Sequence, residues 1–169
     1  AGDTFETMSQ LARLGLDPWF RLGDRDLAMH LARTAALAEG SALSEFTLAL
    51  SQRMDLGVDL IPMTDDEVAT RVHTRTGVLG FQEWFVRERA AIPVDAVAYE
   101  GIEQARTAPG VLEAIAAADL VVLGPSNPVA SILPILALPG VRESVAAQRC
   151  VAVTPTVAVR MSPKAGVRG

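Results

Sequence analysis

Residues 109–154 carry the pattern that most restricts what this chain can fold into. Pro109 stands at the first turn of a helical stretch, with Val111, Leu112, Ile115 and Ala116 on one side and Asp119 at its end. Leu120-Val121-Val122-Leu123 follows as a continuous apolar run, stopped by Gly124-Pro125. Runs of this kind mark strands covered on both faces of a parallel sheet. Ser126-Asn127-Pro128 reads as a polar loop. Ser131 is placed to cap a turn through Ile132, Leu133, Ile135 and Leu136, and a short helix runs from near Pro139 to near Ala147. Cys150–Thr154 is a second apolar strand, stopped by Pro155. Helix, strand, polar loop, helix and strand form the βαβ order. With Val94–Tyr99 as a further, alternating strand, residues 94–154 read as part of a parallel α/β sheet.

The first 57 residues have a different period. Phe5, Met8, Leu11 and Ala12 recur at helical spacing behind a cap at Asp3 or Thr4, and Gly15 stops them. Asp24 or Asp26 starts a second helix that ends at Gly40, and a third runs from near Ser44 to Gly57. Beyond Gly57, Val58–Ile61 is a short strand candidate and Pro62–Asp66 a turn. Val68–Thr76 reads as extended, and Phe81, Trp84, Phe85 and Glu88 as a helix over about Gly80–Arg89. The division expected is a helical cap or insertion over 1–57, an α/β core portion over 58–155, and an atypical tail over 156–169 that reads as a frayed terminus.

Composition excludes several classes. Half of the 169 residues are hydrophobic and 21% are charged, too apolar for a disordered chain. Cys150 is the only cysteine, so no disulfide scaffold is available. The net charge is −5, with no lysine before Lys164, which disfavours a generic nucleic-acid binder. Phosphate-bearing small molecules stay open, because arginine forks bind them whatever the global charge. The most apolar stretch, Ala130–Val141, is broken by Pro134 and Pro139, so no membrane span is expected. Ala1-Gly2-Asp3-Thr4 shows no leader pattern, and a cytoplasmic location is the expectation.

Three segments carry candidate chemistry. In Gly124–Ser131, Gly124 permits close backbone approach, Ser126 and Asn127 offer side-chain donors, and Ser131 with the following N–H groups can face phosphate or ribose oxygens. The alternative is a rigid turn with a capping serine. In Trp19–Asp26, Arg21 and Arg25 can fork onto phosphate while Asp24 or Asp26 holds an arginine or Mg²⁺, with His30 one turn beyond Asp26. The alternative is a solvated helix start. Thr64-Asp65-Asp66 offers two carboxylates that point apart in extended chain, so one can serve a metal while the other caps; His73 is a further phosphate candidate. Phe81, Trp84 and Phe85 read as core rather than as a stacking platform, and Cys150 as a buried thiol. There is no Walker A loop, GxGxxG or GxSxG elbow.

These blocks together resemble the 2-phospho-L-lactate transferase family. Trp19-Phe20-Arg21-Leu22-Gly23-Asp24-Arg25-Asp26-Leu27-Ala28 with His30, Arg33 and Thr34 is one; Leu60-Ile61-Pro62-Met63-Thr64-Asp65-Asp66 with Val68, Thr70, Val72 and Thr74 is the second. Gly80–Arg87 and Gly124–Val129 with Ser131-Ile132 complete the match, which covers residues from about 2 to 155. The resemblance implies a Rossmann-like α/β fold with helical insertions, so the expectation is a partial parallel sheet with a helical insertion.

It also implies an enzyme of coenzyme F-420 biosynthesis. Such an enzyme moves a phospholactyl or phosphoenolpyruvyl group from a guanosine diphosphate-activated donor to the deazaflavin Fo, releasing GMP, with Mg²⁺ required and a homodimer expected. On that reading Gly124, Ser126, Asn127 and Ser131 hold the guanosine donor. Arg21, Asp24 and Arg25 line the donor or cleft region, Asp65 and Asp66 are the metal-side candidates, and no general base is assigned. Against the family pattern the chain is expected to be a piece, lacking the family's glycine-rich start and its C-terminal end. Two alternatives follow: an incomplete piece that still binds guanine nucleotide, or a regulator like the neighbouring gluconeogenesis factors. Neither a membrane nor a nucleic acid is expected as a partner.

Overall fold

The computed structural model describes residues 2–153. Its element order is α1 (Glu6–Arg13), α2 (Asp24–Ala38), α3 (Leu43–Arg53), β1 (Ala69–Thr74), β2 (Gly77–Gly80), β3 (Ala96–Glu100), α4 (Val111–Ala117), β4 (Val121–Leu123), α5 (Leu133–Leu136), α6 (Val141–Ala146) and β5 (Cys150–Ala152). Two single π-helical turns, Glu83–Arg87 and Pro128–Ile132, interrupt this order. The architecture is mixed α/β. The expected strand beginning at Val94 and the tail from 156 meet different fates: the first is found, the second lies outside the described residues.

Two separate sheets form, where one parallel sheet over 94–154 was expected. β4 and β5 are parallel, with Val122 beside Val151 and Leu123 beside Ala152. β3 instead lies antiparallel to β1, in a three-stranded sheet of order β2-β1-β3. The reason is legible in β3 itself, Ala96-Val97-Ala98-Tyr99-Glu100. It alternates rather than running apolar throughout, which suits a half-exposed antiparallel strand. β1 and β2 form a tight hairpin through Thr74–Gly77, where the buried Thr74 hydroxyl donates to the Gly77 carbonyl at 2.8 Å. The strand candidate Val58–Ile61 is not one.

The main core gathers Ala105, Leu138 and Val141, with Met63, Val68, Ile102, Val111, Leu112, Ile115, Leu136 and Val145 packed round them. α4 and α6 therefore meet on the apolar stripe that the sequence places on α4. Gly101 closes the end of β3 at φ +84°, and a β-carbon there would run into the Glu67 carbonyl. That close approach lets the β3 end and the chain entering β1 pack together, and only glycine permits it.

The cover expected over the parallel pair is incomplete, β5 being exposed at all three positions and β4 at Val122. Val122 is 57% exposed and Val151 is 50% exposed, and as register partners they point the same way. Cys150, expected to be buried, is exposed. α2 buries none of its residues. Among the described residues no helix is long and apolar enough to cross a membrane.

Candidate functional site

The loop after β4 is built by its own side chains. Val129 N–H and Ala130 N–H donate to Asn127 Oδ1 at 2.9 and 3.0 Å, so Asn127 caps the turn that follows it. Ser131 N–H and Ile132 N–H then donate to the Asn127 carbonyl at 3.0 and 3.3 Å. The amides expected to face a phosphate from Ser131 onward are thus spent inside the turn. Pro128, which has no N–H, occupies the first position of that turn. Among the described residues the Ser126 and Ser131 hydroxyls and the Asn127 NH₂ group of this loop have no protein partner. Asn127 is exposed and Ser126 half-buried. Gly124 has open space where a β-carbon would stand.

Tyr99, which the sequence reading passed over, reaches this loop from the other sheet. Its hydroxyl donates to the Val129 carbonyl at 2.5 Å. The only signal for it in the sequence is a lone tyrosine near the end of an alternating strand.

The Trp19–Asp26 block is organised by crossed caps. Asp24, the first residue of α2, accepts from the Thr4 hydroxyl at 2.5 Å and from the Glu6 and Thr7 amides at 3.0 Å, so it caps α1. Asp3 in turn accepts from the Arg25 amide at 3.3 Å and so caps α2. Hydrogen bonds hold the Asp24 carboxyl down at about 2, the Thr4 hydroxyl contributing most and Thr7 next. Gly23 leaves room for this contact, because the Asp3 carboxylate occupies the space that a β-carbon would take and would have to move if one were present.

The arginines of that block point to aromatic and apolar surfaces. The Arg21 guanidinium lies 4.9 Å from the Phe5 ring centre. Arg25 lines a groove of about 290 Å³ between α2 and α3, with Met29, Phe46, Leu50 and Arg53. His30 Nδ1 accepts from the Arg33 guanidinium at 2.7 Å, because arginine can only donate. Asp26 borders the same groove as Arg25.

The third block divides its two acids between neighbours. Asp65 Oδ1 and Oδ2 accept from the Ser44 amide and hydroxyl at 2.7 and 2.8 Å, which ties the loop to the start of α3. Asp66 Oδ2 accepts from the Arg106 amide at 2.8 Å, and the Thr64 hydroxyl donates to the Arg106 carbonyl at 2.6 Å. The carboxylates therefore serve separate elements. Among the described residues no three His, Cys, Asp or Glu side chains gather as a metal-binding group. Asp65 also borders a cleft of about 470 Å³ with Glu45, Leu48, Ile61 and Pro109. His73 is half-buried in β1, its carbonyl accepting from the Asp95 amide at 2.9 Å.

The structure joins some blocks directly and others through the antiparallel sheet. Arg87, at the end of the first π-helical turn, stands 5.8 Å from the Trp19 ring centre, so the Gly80–Arg87 block meets the Trp19–Asp26 block. Phe81 and Phe85 stack at 5.6 Å, and Phe85 is 53% exposed, so this aromatic group is only partly core. β2 leads into that turn at one side of the sheet, and Tyr99 on β3 reaches Val129 at the other. No contact between Arg21 and Ser126 or Asn127 occurs among the described residues.

Comparison with known proteins bears on the same blocks. The family model for 2-phospho-L-lactate transferase CofD matches residues 2–163. A phosphoenolpyruvate transferase of Streptomyces coelicolor is 50% identical over 151 residues, covering 86% of this chain and 47% of that protein. One of Thermobifida fusca is 47% identical over 162 residues, covering 93% and 50%. One of Mycolicibacterium smegmatis is 47% identical over 147 residues, covering 83% and 45%. The chain spans about half the length of the curated relatives it matches. A crystal structure of a UPF0052-family protein from Bacillus halodurans superposes with a TM-score of 0.59 at 17% identity, over 78% of this chain and 41% of that one, a likeness of fold alone.

Proposed function

The chain belongs to the 2-phospho-L-lactate transferase CofD family, and from that premise we propose that it is the donor-binding portion of a phosphoenolpyruvyl or phospholactyl transferase. The donor is a guanosine diphosphate-activated phosphoenolpyruvate or phospholactate. The named relatives are phosphoenolpyruvate transferases, which favours the enolpyruvyl form. The acceptor is the terminal hydroxyl of the deazaflavin Fo. Its oxygen bonds to the phosphorus bearing the enolpyruvyl group, the diphosphate bridge breaks, GMP leaves with the bridging oxygen, and the hydroxyl proton passes to solvent or a base. The assembly is a homodimer at full family length.

The observation that carries this reading is the Gly124–Ser131 loop at the carboxyl end of β4, where ligands of open α/β sheets bind. The turn is already stabilised from within, and the Ser126 hydroxyl and the Asn127 NH₂ group are left unpaired, so a bound nucleotide need not break it. On this reading β4 and β5 are two strands of a Rossmann-like sheet that further chain completes. Arg21 lies against the Phe5 ring and Arg25 in the groove between α2 and α3, so this reading gives neither a role at the loop.

Mg²⁺ neutralises diphosphate charge in such a transfer, held through one or two carboxylates and the substrate phosphates. The pair Asp65 and Asp66 is not gathered as a joint site, because Ser44 at the head of α3 holds Asp65 and the Arg106 amide holds Asp66. Asp66 Oδ1 has no partner among the described residues and is the freest ligand the pair offers.

Calorimetric titration of GDP into this chain with Mg²⁺ tests the reading. Saturable heat, weakened in Asn127→Ala with circular dichroism unchanged, is expected. No saturable heat from the folded wild type overturns it.

A further inference from the structure

The π-helical turn after Asn127 leaves one backbone group without its ordinary partner. Leu133 N–H donates back to the Pro128 carbonyl, five residues earlier. The next bond in that register would run from residue 134 to the Val129 carbonyl, but residue 134 is proline and has no N–H. The Val129 carbonyl therefore has no backbone donor within the turn, and at this exposed position its partner is either water or a side chain. Tyr99 supplies the missing donor from β3, 30 residues away in the chain.

We propose that Tyr99 is a positioning residue for the nucleotide-binding loop, its hydroxyl standing in for the amide that Pro134 cannot provide and thereby fixing how Ser126 and Asn127 face the donor. The inference rests on the donor-binding reading of that loop. Three features support it. Tyr99 is the described side chain that ties the loop to the antiparallel sheet, so it references the loop to a rigid element rather than to itself. It is held on that sheet by pairing opposite Thr70, with the Arg71–Glu100 ion pair alongside at 2.5 Å. Desolvation raises the tyrosine pKa above 10.0, so the hydroxyl keeps its proton and remains a donor through the neutral range.

Tyr99→Phe removes the hydroxyl and leaves the ring. The test measures amide exchange over residues 126–132, the thermal midpoint, and GDP affinity, in wild type and variant of this chain. Faster exchange confined to Val129–Ser131, an unchanged midpoint, and GDP affinity weakened about three- to tenfold, the worth of one net hydrogen bond, are expected. Wild type that binds GDP with a variant that matches it in exchange and affinity overturns this inference and leaves the donor-binding reading standing. A variant that exchanges faster across the whole antiparallel sheet and melts lower is a merely structural tie, and also overturns it. Wild type that binds no GDP removes the donor-binding reading first, and the positioning role falls with it.

Discussion

Asp24, the first residue of α2, caps α1, while Asp3, ahead of α1, caps α2, and the Asp24 half of this crossing decides how α1 responds to acid. The reading from sequence places a capping residue at the head of each helix, Asp3 or Thr4 for α1 and Asp24 or Asp26 for α2, each serving its own helix. Capping from the neighbouring helix needs the close approach at Gly23, which no local pattern reveals. Asp24 titrates at about 2 in the folded chain against 3.8 for the free group. A depressed carboxyl contributes stability fully above pH 3.8 and loses it as pH falls through about 2. The wild-type urea midpoint should therefore fall between those values, and Asp24→Asn should lose that part of the fall while starting lower at neutral pH. Carbon chemical shifts of the Asp24 carboxyl check the titration directly. Gly101 makes a second residue-scale prediction. Gly101→Ala places a side chain at φ +84° against the Glu67 carbonyl, and the strain costs about 1–3 kcal/mol in urea unfolding.

Elements were legible where one local rule decides them. α1, α2, α4 and α6 follow their apolar period, β4 and β5 their apolar runs, and Asn127-Pro128 its cap chemistry. What stayed hidden depends on partners. β3 joins an antiparallel sheet because β1 is there to receive it, and β2 was masked by a short hairpin whose strand, Gly77-Val78-Leu79-Gly80, is too glycine-rich to announce itself. The helix expected over Gly80–Arg89 is found over residues 81–87, with Glu83–Arg87 as a π-helical turn, and it stops before Arg89 and Ala90, both at φ +52°. At the site, Ser126 and Asn127 were readable as loop donors, whereas Tyr99 was not, since its role exists only after β3 is docked beside the loop. Pro134 links these scales. Pro134→Ala supplies an amide in register with the Val129 carbonyl, so it should reduce the loss of GDP affinity caused by Tyr99→Phe. A double-mutant cycle should show a coupling of about 0.5–1 kcal/mol, and additivity within experimental error would mean that the carbonyl does not need either donor.

At the scale of the whole molecule, the parallel pair is the feature that local rules leave unexplained. Parallel strands are stable when both faces are covered, yet Val122 and Val151 stand 57% and 50% exposed on one face, flanked by Leu120 at 46% and Val153 at 47%. Four apolar side chains on one face of two strands describe an interior surface, and the relatives that share these blocks are about twice as long as the matched segment. The same substitution should then have two different costs. Val122→Lys in this chain places a charge where solvent already reaches, and should change the urea-derived stability by less than about 0.5 kcal/mol. In a family-length transferase carrying the same face, the lysine is buried without a partner and should cost several-fold more, of the order of 2 kcal/mol or above. Equal, small effects in both proteins would mean that the face stays open at full length and that the apolar run of β4 was not selected for cover. A large effect in the long protein alone would locate the missing layer of the sheet over Val122 and Val151, the two positions from which its packing can next be mapped residue by residue.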